Sequence, residues 1–273
     1  NQGINLTYIF VDLPRVKALN LAINNSKSDY LLRFDSRTRF SNDYAKNALD
    51  LLEKSNKKYV GGVPSIIPER KTVWGYICAS IMSRSYIFLY PRHRRFNYEG
   101  EASSVYLGCF EIKTLRLIMY RDELNIISED SILSSDFSKH GYKPFISNKL
   151  NLQYVSRSSI INIFKLFNTY GYCRSNSILL SRTVHSLKRY FIIVIFLFLF
   201  LVLFYKVGFL SVIISFIILF LINLFGEIFN KNTNKNFIYP FLATFLQLAW
   251  ITGFINGFMN IILKKNQKSN FIK

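Results

Sequence analysis

Acidic residues are scarce in this chain: 16 Asp and Glu stand against 35 Lys and Arg in 273 residues, a formal charge of +19. Sulfur is scarcer still. Cys78, Cys109 and Cys173 lie far apart with no C-x-x-C pair, so neither a disulfide framework nor a zinc site is indicated, and a reducing, cytosolic setting fits. His93, His140 and His185 are scattered without ligand spacing and read as structural residues. A charged-then-apolar leader is missing too, and Asn1 is not an initiator Met, so the expectation is of a chain whose beginning lies upstream.

Apolar residues, by contrast, are abundant. Half of the chain is hydrophobic, with 26 Phe and 17 Tyr. High charge and high hydrophobicity conflict in a soluble enzyme but agree at an anionic membrane surface, where each basic residue near the headgroups contributes about 1 kcal/mol. Nucleic acid is the competing partner for such charge. No recognition motif accompanies it, so nucleic acid is not expected as a partner.

The C-terminal third sets the gross architecture. Residues 190–205 (YFIIVIFLFLFLVLFY) and 207–222 (VGFLSVIISFIILFLI) are continuous apolar runs, each a little short of the roughly 20 residues that cross a bilayer. Lys188, Arg189 and Lys206 extend them by snorkelling, and Tyr190 and Tyr205 suit the interface. Lys206, Val207 and Gly208 read as the tip of a helical hairpin. A third run, 238–263, carries Gln247, Asn256 and Asn260, with Gly253 and Gly257 spaced for close helix packing. Lys residues flank it on both sides, so the basic-residue rule leaves crossing and re-entry both open. The expected parts are a globular unit at 1–185, a transmembrane hairpin at 186–228, and a third membrane segment with a basic tail at 229–273.

Before residue 185 the pattern alternates between strand and helix. Strands are expected at 6–11 (LTYIFV), 30–34 (YLLRF) and 58–63, and helices at 15–24 and 43–54. Such alternation implies a mostly parallel sheet, whose functional groups gather at the strands' carboxyl ends, where Asp12 and Asp35 fall. Asp35, in FDSR, could ligate a divalent cation or simply cap a turn. Glu129 and Asp130, after Ser128, open a further helix, either as dipole-complementing caps or as chemistry-bearing acids. The basic segment 91–95 (PRHRR), set among aromatics, reads equally as a headgroup-binding or gating loop near the membrane and as a solvated one.

In order, these pieces resemble the family 2 glycosyltransferases of GT-A fold, particularly the membrane-bound subgroup similar to the succinoglycan-biosynthesis glucosyltransferase. The stretches that carry the likeness are 17–23 (KALNLAI), 32–40 (LRFDSRTRF), 60–63 (VGGV), 99–101 (EGE), 105–110 (VYLGCF), Glu129 with Asp130, 157–159 (RSS), 170–174 (YGYCR) and 250–254 (WITGF). The resemblance implies an α/β, Rossmann-like GT-A sheet lacking its N-terminal strands, followed by transmembrane helices. It implies that Asp130 is the catalytic base with Glu129 beside it. Donor nucleotide would be held by Asp35, Arg37, Lys17 and Asn20, and acceptor by Tyr106, Leu107, Gly108 and Arg174. Asp35 would also meet a divalent cation, Mg or Mn, although Arg37 occupies the place of a second acid and cannot ligate one.

The function expected from this likeness is inverting transfer of a sugar from a nucleotide-diphosphate sugar to a lipid-linked or polysaccharide acceptor. The setting would be an integral membrane protein of a bacterial inner membrane with a cytosolic catalytic part, in contact with membrane lipids. Two other classes fit the same residues: a non-catalytic membrane scaffold derived from a transferase, and a basic peripheral module for anionic lipid or nucleic acid.

Overall fold

The computed structural model describes residues 8–88, 91–95, 97–122, 129–181, 200–230 and 235–270. Helix α1 (Arg15–Asn25) and helix α2 (Tyr44–Lys54) follow the expected periodicity, and α2 buries Tyr44, Ala48 and Leu52 as one stripe. Between and after them run β1 (Tyr30–Arg33), β2 (Thr38–Phe40), β3 (Tyr59–Gly62) and β4 (Pro64–Pro68). Then come α3 (Val73–Ser83), β5 (Gly100–Glu101), β6 (Tyr106–Glu111), α4 (Ile112–Ile118), α5 (Glu129–Lys139), β7 (Phe145–Ile146), β8 (Leu152–Ser156) and α6 (Ile160–Ser181).

Two mixed sheets result, ordered β1-β6-β3-β7-β5 and β2-β8-β4. The expectation of a mostly parallel sheet is therefore corrected. Strands β1 and β3 do run in the same direction, as their helical crossover requires. They are not neighbours, because β6 lies between them and is antiparallel to both. Among the described residues only β3 with β7 and β4 with β8 pair in parallel. The strand expected at 6–11 is corrected as well. Residues 8–11 join no ladder and stand in solvent, with Phe10 91% exposed; Asp12 is exposed beside them.

Strand alternation sorts the core into two faces. Tyr59 and Phe110 pack with α1, α4 and α5 through Val16, Ile23, Leu115, Leu133 and Phe137. Their strand neighbours Val60 and Cys109 pack on the opposite face with α2. Gly108 is required here: a Cβ would lie 2.4 Å from the Tyr59 ring.

Among the described residues two helices follow that are long and apolar enough to cross a membrane: α7 (Leu210–Ile228) and, within α8 (Ile238–Asn270), residues Ile238–Ile261. Only 22% and 28% of their apolar windows are buried inside the chain, unlike core helices of a soluble protein. Helix α7 is also inverted in character. Ser211, Ser215, Asn223 and Glu227 face inward, whereas Ile213, Ile217, Leu221, Ile222 and Phe225 face out. Water would favour the opposite arrangement. Gly208, with φ +55°, ends the preceding helical residues 200–207 and turns the chain into α7. Most of the run 190–205 lies outside the described residues.

Helix α8 is unbroken and packs along α6 in the same direction, Asn168 meeting Ala249 and Thr252 and Ser175 meeting Gly257. The small-residue spacing is used as expected. A Cβ at Gly253 would sit 1.9 Å from the Asn168 carbonyl oxygen, and one at Gly171 would sit 1.9 Å from that of Trp250.

Candidate functional site

Strand β1 ends on Arg33, whose alternation from Leu31 turns it toward the face covered by α1, α4 and α5. There it is buried, at 7% exposure, and it organises the carboxyl-end rim. Its guanidinium hydrogen-bonds Asp130 directly and donates to Glu129 at 3.2 Å. A further nitrogen lies 3.4 Å from Asp35, and Nη1 reaches the Tyr120 hydroxyl at 3.4 Å. Arg15, the first residue of α1, approaches the same acids at 3.0 Å from Glu129 and 3.6 Å from Asp35. Asp35 and Asp130, far apart in sequence, thus converge on one guanidinium.

The charges do not cancel. Two guanidiniums face three carboxylates, and the start of α5 adds only the partial positive charge of a helix N-terminus. The Asp130 carboxyl is raised from 3.8 to about 6, chiefly by burial, with Arg33 opposing and Glu129 adding to the rise. Its side chain is nevertheless 38% exposed, so a solvent-borne group can reach it. Tyr120 and Tyr59, buried nearby, have phenols pushed above their usual range by burial and remain protonated.

The other expected site residues separate into those at the rim and those elsewhere. Arg174, on α6, donates to Ser131 at 3.4 Å, one residue beyond Asp130. The Tyr106 hydroxyl meets Thr38 at 2.9 Å, within the field of Asp35. Leu107 is buried with φ +53°, so its side chain belongs to the core, and Gly108 pairs with Arg33 across the β1–β6 ladder. Arg37 points away, donating to Glu69 at 3.3 Å and to the Val155 carbonyl. Lys17 is exposed on α1. Asn20 holds the backbone of Tyr120 through two hydrogen bonds of 2.8 and 3.0 Å, which positions that tyrosine under Arg33. Ser128 lies outside the described residues. His140 turns back onto the Asp136 carbonyl, as a structural residue does.

Sequence reasoning missed Arg33 and Arg15. The available signal was the charge within YLLRF: an arginine at an inward position of an apolar strand needs a buried anionic partner.

Among the described residues no group of three or more His, Cys, Asp or Glu side chains is gathered to hold a metal ion. Asp35 offers a single carboxylate, 35% exposed, with each oxygen loosely facing a guanidinium. That donor set would suit only a cation held mainly by other donors, as Mg²⁺ commonly is. A depression of 490 Å³, lined by Arg39, Ser65, Asn97, Asn148 and Gln153 among others, contains none of these acids.

Comparison with family models and with curated proteins found no match for this chain.

Proposed function

We propose that this chain is a membrane-anchored sugar transferase of the GT-A type, moving a sugar from a nucleoside-diphosphate donor to a lipid-linked or polysaccharide acceptor with inversion. One observation carries the reading: Asp130, solvent-accessible and raised to about 6, sits in a ring of acids and guanidiniums at a strand-end rim. A general base works best when its pKa lies near the operating pH. In the proposed step an acceptor hydroxyl beside Asp130 gives its proton to the carboxylate while its oxygen attacks the anomeric carbon. The bond from that carbon to the diphosphate oxygen breaks with its electron pair, and nucleoside diphosphate departs. A single base and a single displacement give inversion, in contrast to glycoside hydrolysis through paired carboxylates.

Arg33 positions Asp130 and holds it partly ionised. Arg15, more than half exposed beside Asp35, offers positive charge to the departing diphosphate, as does Arg174 across the rim. A divalent cation carried by the donor phosphates would meet Asp35 and neutralise the leaving group. Membrane residence is supported by the outward apolar face of α7 and by the chain's +19 charge, which favours the cytosolic, anionic leaflet.

The direct Arg33–Asp130 bond favours a second reading, in which the acids form a purely structural knot in a non-catalytic scaffold. Asp130→Asn separates the two. Under the first reading it abolishes transfer of radiolabelled sugar in reconstituted membranes while donor binding persists. Unchanged turnover in that variant would remove the base assignment.

A further inference from the structure

Helix α8 is fastened to a helix of the globular unit. Strand β8 feeds α6, and Arg174 of α6 reaches Ser131 beside the acid rim. The register between α6 and α8 is fixed at three levels. Asn168 meets Ala249 and Thr252, Ser175 meets Gly257, and Asn260 donates to the Tyr172 hydroxyl at 3.4 Å. Arg174 is therefore level with residues near 256. The exposed Lys165, one turn before Asn168, is level with 246–249, the middle of the apolar window Ile238–Ile261. If α8 crossed a bilayer, Lys165 would stand at its centre and the globular unit would be drawn into hydrocarbon with it. A lysine on an outer surface there is costly, and so are the half-exposed charges of the rim.

The side of α8 turned away from α6 is apolar. Phe241, Phe245, Ile255, Met259 and Leu263 are exposed along roughly 33 Å of helix. Thr252 lies among them, but its hydroxyl is spent on the Ala249 carbonyl at 2.9 Å. Helix α7 meets the head of this stripe at a steep angle. Asn223 donates to Thr244 and Gln247 at 3.1 and 2.9 Å, and Phe216, seven residues earlier, meets Phe241 and Phe245 at centroid separations of 6.3 and 5.4 Å. Helices lying side by side would shift partner by seven residues too, whereas here the partner shifts by two or three. Charge adds a separate constraint. Lys231 and Lys235 precede α8, and Lys264, Lys265 and Lys268 stand at its far end. Basic residues keep to the anionic leaflet, so a crossing helix would carry one of these groups to the wrong side.

From this arrangement we infer that α8 does not cross the membrane but lies flat in one leaflet, its outward stripe docked in the boundary between headgroups and acyl chains. Small residues face α6, large apolar residues face lipid, and both lysine groups stay on one side of the bilayer. Helix α7, running steeply to α8 from the stripe side, is the element that enters the hydrocarbon. An in-plane helix of this kind buries its apolar face about 5–10 Å below the headgroups. The globular unit, fastened to α8 through α6, is thereby held against the membrane surface with its acid rim outside the hydrocarbon. This placement rests on the membrane residence in the proposed function and not on sugar transfer.

The test uses the full chain in sealed vesicles of phosphatidylcholine and phosphatidylglycerol, captured by an N-terminal tag so that the globular unit faces out. Cys78, Cys109 and Cys173 are buried, so the unaltered chain serves as the blank for thiol labelling. An impermeant maleimide should label Lys235→Cys and Lys268→Cys equally in intact vesicles. Spin labels at Phe245→Cys and Met259→Cys should then report the same depth, about 5–10 Å below the headgroups. A steeply inserted helix would separate those two positions by roughly 20 Å. Ile255→Cys replaces either label whose variant departs from the wild-type unfolding midpoint. Protection of Lys268→Cys until detergent opens the vesicles overturns the placement. So does a depth difference above about 10 Å, or both labels standing in water. Neither readout depends on turnover: a chain without transferase activity leaves α8 in the leaflet, and an α8 that crosses leaves the Asp130→Asn test unaltered.

Discussion

Removing Arg33 is the sharpest perturbation the structure offers. Arg33→Met keeps the bulk of the stem but strips the charge that Asp35, Glu129 and Asp130 share. The fully buried part of this network is the Arg33–Glu129 pair, with side chains 6% and 5% exposed. Breaking such a pair by removing one partner costs about 3–5 kcal/mol. Asp35 and Asp130, both over a third exposed, turn to water and add nothing to the sum. Arg15 remains 3.0 Å from Glu129 but is 55% exposed, and a contact of that kind recovers about 1 kcal/mol at most. The expected loss is therefore about 2–4 kcal/mol, or roughly 4–16 °C in unfolding midpoint for a chain of this size. Circular dichroism of the detergent-solubilised protein at neutral pH reads it directly. Arg33→Met with Glu129→Leu removes both buried charges and should regain most of the loss. A single variant that unfolds within about 1 °C of wild type, or a double variant no better than the single, would refute the claim that Arg33 holds this rim together.

Three other outcomes follow from the same geometry. Transfer should rise as pH increases through about 6, where Asp130 loses its proton, and Arg33→Met should move that limb to higher pH because Arg33 favours the ionised form. The sign for stability is opposite to that of an ordinary ion-paired acid: the folded value lies above 3.8, so acidification from about 6 toward 3.8 strengthens this group's contribution. Arg84 and Glu227 form a buried two-pronged pair at 2.7 and 2.8 Å that ties the end of α3 to α7, with Arg84 stacked on Tyr239. Arg84→Met should destabilise by about 3–5 kcal/mol and Arg84→Met with Glu227→Leu by much less, by thermal unfolding; equal losses would contradict a charge-specific link. Gly253→Ala places a methyl against the Asn168 carbonyl and should lower stability by about 1–3 kcal/mol, whereas a neutral result would mean that α6 and α8 are not in this close register.

Several elements are legible in residue spacing alone. The α2 stripe, the apolar C-terminal runs and the Gly253–Gly257 seam belong to this group, because each depends on residues within a few turns of one another. Residues 6–11 carry strand-forming side chains, yet residues 8–11 form no strand; such side chains specify a strand only where a ladder partner exists. The common direction of β1 and β3 follows from the helix between them, but their separation does not. Strand β6 arrives from later in the chain and inserts between them, and local pattern carries no information about that competition.

By itself the sequence determined helices α1 and α2, strands β1 and β3, the apolar belt and the identity of the acids Asp35, Glu129 and Asp130. Only the tertiary structure decided that these acids share one buried guanidinium, that Asn20 serves Tyr120, and that Arg37 faces Glu69. Arg33 and Asp130 are separated by 97 positions. Their meeting is set by the register of β6 against β1 and by the docking of α5 on that face, and side-chain partnership over such distances is a property of packing rather than of periodicity.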